Sequence, residues 1–320
     1  MSGYRRDFAH GLMFHRFCAA GDALRPQGAL TPGEFERILQ FVGIENILSP
    51  AEWMSHAAAG ALEPRQVCVT FDDGLRSQFD HALPILDRYK LKAFWFVYSC
   101  VAQGQPVKSE IYSHVAARFG GFAEFSGQVL RRAPREWLAQ LESPAYAAYA
   151  AHTRSAAPFY TDSDLQYRFL RNRPETRAAF EALVDQLLEE RGLRLHTVAS
   201  ELWLADAQLK YLAQHAHAVG LHSYDHPYAI ALLPVQEQRA QYEKNRAHIT
   251  VATGQPPCSM SHPLNSYNDQ TLAILQDLGI SCGFRANMQP SSAGINPTPL
   301  EFARQDAADL RRMVAECPLG

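Results

Sequence analysis

An apolar run, Val67-Cys68-Val69, leads into Thr70-Phe71-Asp72-Asp73-Gly74. A helical stretch around residues 78–89 follows, then a second apolar run, Ala93-Phe94-Trp95-Phe96-Val97. Strand, helix and strand in this order predict a parallel β-α-β unit with buried strands. Two adjacent carboxylates at the end of a buried strand are costly there unless paired or bound to a metal. Successive strand side chains point to opposite faces, so one carboxylate can hold a metal while the other handles a proton. Gly74 then lets the chain turn tightly. By itself Asp-Asp-Gly after a strand is a common turn. The remainder of the chain shifts the reading toward a site.

With 320 residues the chain can bury the core of one barrel or of two modest domains. A net charge of −3 gives no argument for nucleic acid or an anionic membrane surface as partner. No stretch approaches the ~20 apolar residues of a membrane span. The first ten residues include arginines but no apolar run behind them, which predicts no secretory signal and a cytoplasmic location. The cysteines at 18, 68, 100, 258, 282 and 317 lie far apart with no Cys-x-x-Cys, and Cys68 and Cys100 read as buried thiols. Oligomeric state is not legible.

Leu12–Phe17 is a short apolar strand candidate carrying His15. Thr31-Pro32-Gly33-Glu34 has the pattern of a helix start, with Thr as cap, Pro at the first position and Glu three residues on. Between residues 104 and 197 the strand signal nearly vanishes, and this Ala- and Arg-rich stretch is expected to be a helical insertion. Leaving after the strand that ends near Val97, it is expected to lie beside the barrel mouth and restrict the substrate. Within it, Asp162-Ser163-Asp164 reads as a helix cap rather than a calcium loop, and Arg168, Arg171 and Arg173 as a solvated face rather than a phosphate site. The α/β pattern resumes near Trp203, with a helix ending at Gly220, a strand Leu221-His222-Ser223, a helix over 234–250, a helix from Asn268 and a late strand at Cys282-Gly283-Phe284.

His222-Ser223-Tyr224-Asp225-His226-Pro227 places two imidazoles four apart. On one helical turn they share a face and can converge on a metal, although Pro227 suggests a turn. Two His and one carboxylate are a common catalytic zinc set. This pair follows a short apolar strand, as the Asp pair does, and in a parallel barrel both strand ends open on one face.

Thr-Phe-Asp-Asp-Gly and His-Ser-Tyr-Asp-His-Pro together make the chain resemble the polysaccharide deacetylase family, the NodB-homology or carbohydrate esterase family 4 proteins. The resemblance covers about residues 10–100 and 200–310. It implies an α/β fold, an irregular (β/α)7-type barrel over residues 10–103 and 198–310, interrupted by the 104–197 insertion. It implies hydrolysis of an N-acyl group, acetyl or formyl, from a sugar, using one divalent metal, with zinc first and nickel, cobalt or iron also fitting. Carried over by position, Asp72 is the general base, and Asp73, His222 and His226 hold the metal. The third family motif is altered here to Met260-Ser261-His262-Pro263-Leu264-Asn265-Ser266-Tyr267-Asn268. Ser261 stands where an arginine orients the base, and Arg285 or Arg304 is the candidate replacement. Leu264 replaces a Tyr, although its backbone N–H can still serve an oxyanion hole. Asn265 replaces a Gly, since Asn accepts positive φ. Tyr267 joins Leu264, Asn265, Arg285 and Arg304 as a substrate or oxyanion candidate. No His follows Arg304, so the general acid falls to His262 or His15.

The expected substrate is a small intracellular N-acylated sugar, nucleotide- or lipid-linked. The alternatives are an amidohydrolase on a non-sugar amide, and a barrel that binds sugar or metal without turnover.

Overall fold

The computed structural model describes residues 4, 7–22, 24–156, 160–291 and 293–316. Seven strands form one sheet: β1 (His10–Phe14), β2 (Val67–Phe71), β3 (Ala93–Val97), β4 (Ala218–Leu221), β5 (Ser259–Ser261), β6 (Cys282–Phe284) and β7 (Arg304–Asp306). The order is β6-β5-β4-β3-β2-β1-β7, and every pairing is parallel. A parallel bridge between Phe284 and Phe302 brings the two sheet edges together, so the barrel is nearly closed. This is the expected (β/α)7 barrel.

The apolar runs are strands because both of their faces are buried. Val67, Val69 and Phe71 of β2 and Ala93, Trp95 and Val97 of β3 face the surrounding helices, where Leu12, Phe14, Phe35 and Leu86 meet them. Cys68, Phe94 and Phe96 alternate with them and fill the barrel with Trp53, Cys282, Phe284 and Phe302. Gly11 lies where an added Cβ would come within 2.9 Å of the Arg304 side chain, so β1 has room there for no larger residue without displacing it.

The Thr31 helix start forms as expected: Glu34 N–H donates to Thr31 Oγ1 at 3.2 Å and the Glu34 carboxylate accepts Thr31 N–H at 2.8 Å. The single helix expected over 78–89 is two, Arg76–His81 and Leu83–Arg88. Pro84 has no N–H to continue the ladder, and the chain breaks at Ala82. The first strand stops at Phe14, leaving His15 just beyond it. The strand near 221 lies earlier than expected, at Ala218–Leu221, so His222 and Ser223 follow it.

Residues 21–27 and 106–202 form a second compact unit, and the remainder forms the barrel unit. The second unit is helical, with Phe125, Val129, Leu165, Phe180 and Val184 buried. Gln27 Nε2 donates to Asp164 Oδ1 at 2.8 Å within it. Thr161 caps the helix Asp162–Arg171 with Asp164 reaching back. Arg168, Arg171 and Arg173 lie over the rings of Tyr160, Tyr167 and Phe169, and with Arg171 buried they do not form the solvated face expected of them. Cys68 and Cys100 are buried as expected, and Cys317 falls outside the described residues. No helix among the described residues is long and apolar enough to cross a membrane.

Candidate active site

Strand ends supply the site. β2 ends at Phe71, and the chain turns through Asp73 and Gly74 at φ of 73° and 59°. The two carboxylates are therefore separated by a left-handed turn and not by strand alternation. An added Cβ on Gly74 would sit 2.8 Å from Val97 Cγ1, so both the turn and the approach to β3 need glycine.

Asp73 meets the histidines beyond β4. Its Oδ1 lies 3.6 Å from His222 Nε2 and 3.7 Å from His226 Nε2. One donor atom from each of the three residues lies within 4.8 Å of the others. Ligand atoms around a tetrahedral ion with bonds of ~2.1 Å stand about 3.4 Å apart, so the two Asp73–His separations are near those such an ion needs. His222 Nδ1 is 2.9 Å from the Ser261 carbonyl. A carbonyl only accepts, so Nδ1 carries the proton and leaves the Nε2 lone pair for a metal. The histidines do not share a helical turn as their spacing suggested. They are joined by a loop in which Ser223 and His226 hold φ of 65° and 54°. Each such non-glycine residue costs about 1–3 kcal/mol, held only where surroundings fix it.

Burial opposes ionisation throughout the cluster. It would raise Asp73, but the neighbouring imidazoles of His222, His15 and His226 hold that carboxyl far below its ordinary range. Burial would lower His222, yet Asp72 and Asp73 raise it. His226 is brought down to about 4 by burial and by His222.

Asp72 is set apart. Burial alone would raise it, but the Arg304 guanidinium, with His222 behind, brings it down to about 2. Arg304 Nη1 donates to Oδ1 and Nη2 to Oδ2, each at 2.7 Å, in a bidentate fork. Arg304 Nη2 also donates to Ser261 Oγ at 2.7 Å, so the residue lacking the arginine is bridged to the arginine that replaces it. Of the two candidates, Arg304 is the one that holds Asp72. Arg285 does not act at this point: its Nε donates to Glu301 O at 3.0 Å, its Nη1 to Gln289 O at 2.5 Å and its Nη2 to Ile295 O, tying down the following loop.

Of the two histidines weighed as acid, His15 faces Asp72, its Nε2 standing 3.9 Å from Oδ2 with its side chain about a third exposed. His262 turns away. It is fully buried, its Nε2 donates to Leu300 O at 2.9 Å, its ring stacks on Tyr267 at 4.1 Å, and burial brings it down to about 3. Tyr267 donates its hydroxyl to Glu301 at 2.9 Å. Asn265 holds φ of 58°, as its place in the motif predicts, and its Oδ1 accepts Ala286 N–H at 2.9 Å. Leu264, at φ of 50°, keeps its side chain half exposed beyond β5.

The sequence did not single out Gln78. It is buried, and its Nε2 donates to both His15 O and Asp72 O, at 2.7 and 2.5 Å, holding the ends of β1 and β2 together. A buried glutamine four residues after Asp-Asp-Gly carries no signal that separates it from a surface one.

The polysaccharide deacetylase family model matches residues 59–117 and 176–283. No curated protein sequence matches significantly. Among solved structures, the deacetylase PplD of Streptococcus pyogenes in complex with acetate is 17% identical over 98% of both chains, with a TM-score of 0.56. IcaB of Ammonifex degensii gives the same identity, coverage and TM-score. The BpsB deacetylase domain of Bordetella bronchiseptica is 14% identical over 94% of this chain and 97% of its own, at 0.50. These likenesses are of fold.

Proposed function

Because the chain belongs to the polysaccharide deacetylase family, we propose that it hydrolyses the N-acetyl group of a sugar with one divalent metal ion, zinc first, held by Asp73, His222 and His226. The carrying observation is the convergence of those three donors beside an ion-paired Asp72. When bound, the ion supplies Lewis-acid polarisation of the acyl carbonyl and acidifies water. Asp72, ionised and fixed by Arg304, takes the proton of the attacking water. His15 then gives a proton to the sugar nitrogen as the C–N bond breaks, releasing acetate and the free amine. The Leu264 N–H serves the developing oxyanion. A barrel that binds without turnover rested on Ser261 and Leu264. Arg304 restores the contact that Ser261 lacks, which supports turnover.

Metal analysis together with acetate release from a panel of N-acetyl sugars and non-sugar amides tests this. One ion per chain and release from sugars are expected. Asp72→Asn and His15→Gln should each lower kcat by about 10²–10⁴-fold while the ion stays bound. His262→Gln should lower stability and leave kcat near wild type. No ion, or release confined to non-sugar amides, would overturn the proposal.

A further inference from the structure

The strained loop from His222 to His226 needs support from outside itself, and one helix gives it. On Val235–Thr253, Gln241, Asn245 and His248 lie at helical spacings of four and three, on one face. Asn245 is fully buried. Its Oδ1 accepts His222 N–H at 2.9 Å, and its Nδ2 donates to Val97 O at 2.9 Å and to Ser99 Oγ at 2.5 Å. Its one acceptor and both donors are engaged. Gln241 Oε1 accepts Tyr224 N–H at 3.0 Å and Asp225 N–H at 3.2 Å. From the segment just after β3, Ser99 N–H and Cys100 N–H both donate to Tyr224 O at 2.9 Å.

Behind Asn245 runs a chain to the surface. His248 Nδ1 lies 3.0 Å from Ser99 Oγ, and its Nε2 lies 2.8 Å from Asp206 Oδ1. Ser99, His248 and Asp206 have the connectivity of a nucleophile triad, but Ser99 is fully buried and receives the Asn245 amide, so no substrate reaches it. The chain instead fixes which way Asn245 points. Asp206 takes the Nε2 proton, Nδ1 takes the Ser99 proton, and Ser99 Oγ is left to accept from Asn245.

We propose that Gln241 and Asn245 are positioning residues that hold the His222–His226 loop in its metal-binding shape before the ion arrives, with Ser99, His248 and Asp206 fixing the Asn245 amide. The inference rests on the metal reading above and goes beyond it to what builds the ligand geometry. Groups that orient metal ligands typically weaken metal binding about 10–100-fold when removed.

The test uses Gln241→Leu, Asn245→Leu, Asn245→Asp and Gln241→Glu in the full chain, with zinc and cobalt titrations and amide exchange at residues 222–226. Gln241→Leu should weaken both metals and speed exchange at Tyr224 and Asp225. Gln241→Glu keeps an acceptor oxygen and should restore both. Asn245→Asp is nearly isosteric but loses the two donors, so it should behave like Asn245→Leu. Space-filling alone would spare Asn245→Asp. If either Asn245 variant fails to fold, the Gln241 pair decides. Unchanged affinity and exchange in folded Gln241→Leu would overturn the proposal. If wild-type protein binds neither metal, the metal reading fails, and loop exchange alone decides the positioning.

Discussion

Arg304 has five N–H donors, and each has an acceptor: Arg285 O, Thr70 Oγ1, Ser261 Oγ and both Asp72 oxygens. A fully buried cation is tolerated on those terms, and so is the carboxylate it faces. Arg304→Met leaves Asp72 buried without its counter-charge, and chemical denaturation should show a loss of about 3–5 kcal/mol. The same pair sets a pH signature. Asp72 is held down to about 2 from an ordinary 3.8, so its contribution is complete above pH 3.8 and is lost as pH falls through about 2. In Arg304→Met burial dominates and the Asp72 midpoint should rise above 3.8, read by carboxyl NMR titration. A midpoint still near 2 would remove Arg304 as the cause. Asp73, His222 and His226 were legible because each sits in a short motif of fixed spacing. Arg304 was legible only as one of two arginines, because it lies 43 residues beyond Ser261 and no local pattern joins them. Which arginine reaches Asp72 is decided by strand order: β7 lies against β1 and Arg285 spends its donors on loop carbonyls.

At the scale of elements, the turn after β2 carries the site. Gly74→Ala must hold φ near 59° and push on Val97, so it should cost about 1–3 kcal/mol in denaturation and displace Asp73 enough to weaken metal binding. Stability and affinity equal to wild type would show that β3 yields freely. β2 and β3 were readable because they are apolar on both faces. β7, Arg304-Gln305-Asp306, was not, because a three-residue polar strand has the composition of a loop and is recognised only by the carboxylate its arginine meets. The helix Val235–Thr253 was found, but its purpose was hidden. The buried amide of Asn245 and the half-buried one of Gln241 look like an exposed polar face until the loop they hold is seen.

At the scale of the molecule, the proposed ion ties the turn after β2 to the loop after β4, past the end of β3 that lies between them. An ion present at 100 times its Kd adds about 2.7 kcal/mol to the state that binds it. Chelation should therefore lower the Tm of the barrel transition by roughly 5–10 °C, recovered on adding zinc. A Tm indifferent to chelator would mean that the three donors hold no ion in solution. The sheet order has a consequence in time as well. β1 lies between β2 and β7, so the first strand made waits for the last to flank it. Asp72 leaves the ribosome 232 residues ahead of Arg304. At ~5–20 residues per second that is an interval of roughly 12–46 s, during which the carboxylate is without its guanidinium. Translation thus closes the Asp72–Arg304 pair last: a buried ion pair whose first half is written early is completed only when synthesis is nearly done.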